Sequence, residues 1–209
     1  MAQEFVYHYA HTANLPWILE CGELRPGPNT IGGYPLDFLW ATTDPRGSRS
    51  SSALANKNRD AWRRGSTRVV RFTLPAEAFT TWPEIVKRYP QWTPDHIDRL
   101  VSSAQRLGDT DVGAWRCRAE PLRLERDVQI HTRAYVGGWR PLEERAPVLV
   151  QGRDAMRGIL IDDIVYLAER QSMQSGATAY TLFTPMRYAD FVKAAGAGAV
   201  CEINRSGTS

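Results

Sequence analysis

The chain has 209 residues, 43 % hydrophobic and 23 % charged, proportions that exclude a disordered tail protein, a collagen-like chain and a coiled coil and suit one full-sized core. Net charge is +3, unevenly spread: residues 46 to 71 hold eight cations (Arg46, Arg49, Lys57, Arg59, Arg63, Arg64, Arg68, Arg71) against Asp60, so +7 sits there and −4 on the remainder. One domain over 1–205 and a flexible tail over 206–209 are expected.

Phe5 to Ala10, aromatic and β-branched, predicts a strand. Thr12 or Asn14 then stands where an N-cap belongs, Pro16 falls in the first turn, and Gly22 ends a short helix over Pro16 to Cys21. Arg25 to Asp37 is dense in Pro and Gly and predicts a loop. A strand over Phe38 to Thr43 follows, then a turn at Asp44 to Ser48, a helix over Ala53 to Arg64 and a third strand over Val69 to Leu74. Pro83 to Tyr89 and Pro94 to Leu107 predict helices, the second capped by Thr93. Beyond Ala114 the chain is mostly extended: Trp115 to Leu124, Val128 to Val136, Val148 to Gln151, Ile159 to Leu167 and Ala179 to Phe183, before a last helix over Arg187 to Ala195. This order lacks βαβ alternation and favours an α+β fold with a helical insert over a doubly wound sheet.

Cys21, Cys117 and Cys201 are odd in number and widely spaced, which supports neither a disulfide framework nor a zinc ribbon. The N-terminal segment has no basic region followed by an apolar run, and no stretch approaches the roughly eighteen apolar residues of a membrane span, so a cytoplasmic protein with no membrane contact is expected. P-loop, G-x-S-x-G and G-x-G-x-x-G patterns are absent. His8 and His11 lie three apart on a strand, an odd offset that places them on opposite faces, and no carboxylate stands at matching spacing, so no metal is expected.

Glu120 stands out. Alternation over Trp115 to Leu124 puts Trp115, Cys117 and Ala119 on one face and Arg116, Arg118, Glu120 and Leu122 on the other, leaving one acid beside two Arg just before Pro121. A surface ion-pair ladder accounts for this pattern; so does a carboxylate at a cleft, kept ionised by guanidinium groups to act as a base or to stabilise a cation. The basic stretch interleaves with Trp62 and with Ser48, Ser50, Ser51 and Ser52. That combination fits either a solvated helix face or a nucleic-acid surface, in which Arg and hydroxyls take phosphates and the ring stacks on a base.

Three segments together resemble ADP-ribosyltransferases, specifically the DNA-modifying toxins of the DarT type. His11-Thr12-Ala13-Asn14-Leu15-Pro16-Trp17-Ile18-Leu19-Glu20-Cys21-Gly22 resembles that family's opening H-x-x-N-[IL]-P-x-I-L-x-x-G. Phe38 to Ser48 is similar to its aromatic strand ending in Pro-Arg-Ser, and Ala119-Glu120-Pro121-Leu122-Arg123-Leu124 to the strand carrying its catalytic Glu. The resemblance implies a split, mostly antiparallel sheet of ADP-ribosyltransferase type, NAD as donor, no metal, and transfer of ADP-ribose to a base of nucleic acid, DNA foremost. It implies Glu120 as catalytic acid/base and Arg46, with Arg49 as its near rival, as the active-site Arg. His11, Asn14, Trp40, Thr42 and Thr43 would line the donor site. His8 is the alternative histidine, matching the histidine-tyrosine-glutamate branch, whose target need not be DNA. Arg49, Lys57, Arg59, Arg63 and Arg64 would guide the nucleic acid. A macro-domain antitoxin is the implied partner of such a toxin. The competing readings are a transferase that modifies protein and a catalytically silent nucleic-acid-binding module of the same fold.

Overall fold

The structure, a computed structural model, describes residues 4–27, 33–35, 37–47, 56–125, 128–143, 147–150, 155–172, 178–195 and 200–202. Strand β1 (Phe5–His11) leads into helix α1 (Leu15–Cys21). Pro16 occupies the first turn, where its missing N–H costs no hydrogen bond, and Gly22 closes the helix at φ +68° with its N–H on the Ile18 carbonyl. Next come β2 (Glu23–Leu24), β3 (Leu39–Thr42), α2 (Asn56–Arg63), β4 (Val69–Pro75) and β5 (Thr80–Thr81). The helical insert is α3 (Trp82–Arg88) and α4 (Pro94–Arg106), with Thr93 capping α4 as its sequence predicts. The remaining strands are β6 (Trp115–Arg118), β7 (Leu122–Arg123), β8 (Gln129–Arg133), β9 (Arg140–Pro141), β10 (Pro147–Val150), β11 (Met156–Ile161), β12 (Ile164–Ser172), β13 (Thr178–Leu182) and β14 (Met186–Arg187). Helix α5 (Tyr188–Ala195) and strand β15 (Val200–Glu202) end the series.

A seven-stranded sheet runs β5-β6-β3-β1-β4-β8-β9, a second sheet runs β13-β12-β11-β10-β15 with β14 on β12, and β2 pairs with β7. Neighbouring strands are antiparallel throughout, so this is an α+β architecture with an antiparallel sheet core. One face of the large sheet, carrying Val6, Ala10, Leu39, Ala41, Val70, Phe72, Leu74 and Ile130, shares a hydrophobic cluster with Ile159, Ile161 and Tyr166 of the second sheet, with Leu15 of α1 among them. The opposite face is covered over β6 and β3 by an aromatic cluster that Trp82, Ile85, Trp92 and Ala104 of the insert form with Phe38, Trp115 and Cys117. Arg68, at the entrance to β4, joins the two sheets: its Nη1 donates to Asp162 Oδ2 at 2.6 Å and its Nε to the Tyr166 hydroxyl at 2.9 Å.

Three expected strands are corrected. Trp115 to Leu124 is two strands, because Pro121 brings no N–H to a ladder; β6 stays with β3, whereas β7 leaves to pair with β2. Ile159 to Leu167 is a hairpin, with Ile161 opposite Ile164 and both Asp162 (φ 50°) and Asp163 (φ 64°) left-handed, as a two-residue type I′ turn requires. Val128 to Val136 stops at Arg133. Helix α2 is seen from Asn56; residues 53–55 of that expected helix, and the tail 206–209, lie outside the described residues. Among the described residues no helix is long and apolar enough to cross a membrane.

Candidate functional site

Strands β1 and β3 are neighbours in the large sheet, yet one register pair joins them, Tyr7 with Thr42. Beyond that pair β1 stays with β4 as far as His11 opposite Val69, and β3 stays with β6 as far as Leu39 opposite Arg118. Each strand follows its outer partner, and the sheet opens between His8–Ala10 and Leu39–Ala41. The His8 side chain replaces the lost ladder: its Nδ1 lies 2.7 Å from the Trp40 carbonyl, an acceptor, so Nδ1 carries the proton. Burial lowers the His8 pKa, and the bond to Trp40 raises it in part. The ring is a neutral spacer between the strands.

The opening is a cleft of about 940 Å³. Its walls are His8, Tyr9 and Ala10 of β1, Asn14, Trp17 and Ile18 beside and within α1, Leu39 to Thr42 of β3, and Leu100 and Ala104 of α4; Tyr180 and Arg170 reach in from the second sheet. Trp17 and Tyr180 lie 5.4 Å apart, and the His11 ring meets Tyr180 edge-on at 6.0 Å. Burial raises the Tyr180 pKa against the opposing charge of Arg170, so its hydroxyl stays protonated at neutral pH.

Two polar atoms here lack partners. Asn14 is the N-cap residue of α1, but its side chain makes no capping bond, and its Oδ1 is buried with no partner among the described residues. His11 Nδ1 is in the same state, and burial lowers the His11 pKa to about 4, leaving a neutral ring. An unmet buried polar atom costs about 1–3 kcal/mol, and the Asn14 oxygen, which belongs to the cleft lining, fits a ligand that supplies its partner.

Asp37 was not singled out by the sequence. It lines the cleft, and its Oδ1 accepts from Phe38 N and Trp40 Nε1, both at 2.8 Å. Burial pushes its carboxyl above the ordinary Asp value, and the bonds from Trp40 and Phe38 pull it back in part. A Cβ on Gly27 would lie 2.8 Å from Asp37 Oδ2, so the chain approaches the carboxylate more closely than any side chain permits. The position of Asp37 in a Pro- and Gly-rich loop offered no signal. Tyr180 and Arg170 also escaped the sequence, since nothing local ties β12 and β13 to residues 8–42.

Of the residues expected at the donor site, His8, Asn14, Trp40 and Thr42 line the cleft. His11 stands one ring behind, against Tyr180. Thr43 is exposed and outside the lining, its N–H on the Ala114 carbonyl. Arg46, its side chain 88 % exposed, is held outside by Asp44, which accepts from its Nε at 3.2 Å and its backbone N–H at 2.9 Å. Glu120 is exposed at the break between β6 and β7 and outside the lining, with its backbone carbonyl on Arg118 Nε at 3.1 Å. The positions on either side of it pair with residues of the cleft wall, Arg118 with Leu39 and Leu122 with Leu24. Arg59, Arg63 and Arg64 are exposed on and just after α2, which packs through Trp62 against Tyr9 and Val69. Arg49 and the side chain of Lys57 lie outside the described residues. No family model, curated protein or solved structure matches the chain.

Proposed function

We propose that the cleft binds NAD and that the chain is a mono-ADP-ribosyltransferase acting on a base of nucleic acid, DNA foremost. One observation carries this reading. Two of the segments that resemble the transferases face each other across one opening, 11–22 through Asn14, Trp17 and Ile18 and 38–48 through Phe38 to Thr42, while 119–124 lies outside the lining and pairs through Leu122 with Leu24 of the wall. The volume suits a dinucleotide, the Trp17–Tyr180 and Trp40–Trp115 pairs offer ring surfaces, and the unmet Asn14 oxygen suits a ribose or carboxamide donor.

In the proposed reaction the bond from ribose C1′ to the nicotinamide nitrogen breaks and its electron pair leaves with nicotinamide, now uncharged. A base nitrogen attacks C1′, and the proton it sheds passes to the Glu120 carboxylate, which also stabilises the positive charge building on the ribose. Arg46, on an exposed turn, would exchange Asp44 for the pyrophosphate.

The exposed position of Glu120, outside the lining, favours a second reading in which the cleft holds a nucleotide without turning it over. Incubation with NAD and single-stranded, double-stranded and protein acceptors separates the two. The transferase reading expects nicotinamide release and an added ADP-ribose mass on the oligonucleotide, abolished by Glu120→Gln with NAD binding retained. Binding without release on any acceptor establishes the silent reading; no NAD binding refutes both.

A further inference from the structure

The face of the large sheet that carries the aromatic insert over β6 and β3 has a different cover over β1, β4 and β8. There rings and guanidinium groups alternate. The Arg71 Cζ lies 5.2 Å from the Tyr7 ring and 4.5 Å from the Trp139 ring; the Arg133 Cζ lies 5.1 Å from the same Trp139 ring and 5.0 Å from that of Trp62. Trp62 meets Tyr135 at 5.1 Å, and the Arg63 Cζ lies 5.9 Å from Tyr135. The strand registers explain the row, since Tyr9 opposite Arg71 and Val69 opposite Arg133 keep these positions on one face.

Nothing described neutralises this row. The ion pairs among the described residues involve Arg25, Arg46, Arg68, Arg140 and Arg157. Arg71 Nη1 donates to the Pro45 carbonyl, but Arg71 Nε, Arg133 Nε and His131 Nδ1, of the residue opposite Arg71, are buried without partners. Two like charges against one indole, each with an unmet donor, suit an anion rather than a structural ion pair. The alternation of rings with cations selects the anion: phosphates for the guanidinium groups and unpaired bases for the rings. An acidic peptide uses the charges and leaves the exposed Tyr135 idle. Tyr7 and Tyr9 also line the cleft, so the row starts at its mouth.

We propose that Arg71, Trp139, Arg133 and Tyr135 form a track that binds single-stranded nucleic acid and leads it to the cleft, in place of the outer face of α2. The track rests on the nucleic-acid acceptor of the proposed function but can be tested without NAD. Anisotropy of a short labelled single-stranded oligonucleotide, titrated with the full chain over a range of salt, should show saturable, salt-sensitive binding. Arg133→Gln should weaken it and lower the slope of log affinity against log salt by about 0.7. Tyr135→Ala, at an exposed position, should weaken it about five- to hundredfold. Arg59→Gln and Arg64→Gln should leave the slope close to that of the unmodified chain.

The track is overturned by no binding, by loss in the α2 variants alone, or by a polyglutamate peptide competing as well as the oligonucleotide. Strand binding by a chain that never consumes NAD would keep the track and sink the transferase. Transfer to protein by a chain that ignores the strand would sink the track and the nucleic-acid acceptor together and leave only the NAD-dependent transfer.

Discussion

Replacing Gly27 by Ala tests whether the cleft depends on the Asp37 carboxylate as placed. The backbone at Gly27 accepts a side chain, as no left-handed φ is involved; the obstacle is the 2.8 Å from the new methyl to Asp37 Oδ2. The carboxylate must turn, and turning takes Oδ1 away from the side-chain donor Trp40 Nε1, while the adjacent Phe38 N–H stays beside the carboxylate. Leaving one part-buried donor unmet costs about 1–3 kcal/mol, and the loss of Gly freedom in the unfolded chain returns about 0.4–1 kcal/mol. A net loss of about 1–2 kcal/mol remains, which at an ordinary urea slope moves the midpoint down by roughly half to one molar. In an Asp37→Ala background the methyl meets nothing, and Gly27→Ala should become neutral or slightly stabilising. Urea unfolding of the four chains measures this coupling. Equal midpoint shifts for Gly27→Ala in both backgrounds would refute the reasoning and remove Asp37 as the reason for a glycine there.

Two buried groups give pH signatures of opposite sign. The carboxyl of Asp37 sits above its ordinary 3.8, so the folded state holds the proton longer than the unfolded state; stability contributed by this group falls as pH rises through that window, and Asp37→Asn removes the fall. His11, with a pKa of about 4 against 6.5 unfolded, binds its proton more weakly when folded. Its contribution, up to about 3 kcal/mol, is therefore present above pH 6.5 and lost as pH drops toward 4, and thermal melts of His11→Gln across that range should be flatter. Asn14→Ala should leave α1 as stable as before, because this side chain makes no cap, while weakening NAD binding measured by calorimetry about tenfold, the worth of one well-placed hydrogen bond; a fall in melting temperature with unchanged NAD affinity would contradict this.

What the sequence disclosed follows the range of each signal. The turn from β1 into α1 was legible because Pro16 and Gly22 act on their neighbours alone. The hairpin at Asp162–Asp163 was not, since apolar residues run on both sides of two Asp that are weaker turn signals than Asn-Gly. Pro121 was visible, but unbroken alternation through it concealed the departure of β7 to another sheet. Asn14, Trp40 and Thr42, which line the cleft, belong to short segments with a pattern, and His8, which lines it too, drew notice as the alternative histidine of the first strand. Asp37 and Tyr180 join the cleft by tertiary contact, which leaves no local trace. The basic track shows the same limit: Arg71 was counted in a charge run, while Arg133 and Trp139, the partners that give it meaning, stand more than sixty residues on in a stretch of ordinary charge.

The seam between β1 and β3 explains why these features gather where they do. Each strand is secured by an outer neighbour and its own core: β1 by β4 and the cluster shared with the second sheet, β3 by β6 and the tryptophans of the insert. Opening the sheet between them therefore breaks only a few ladder bonds, and the His8 bond to Trp40 offsets part of that loss. Ligand groups entering there meet Asn14 on one wall and Asp37 on the other, residues positioned by different cores, without parting any strand from the partner that holds it. The charged face over β4 and β8 reaches the same opening through Tyr7 and Tyr9, because β1 presents alternate residues to the track and to the core. On the function and track proposed above, a strand that serves both as cleft wall and as the first step of the basic face would join donor and acceptor sites with no additional element.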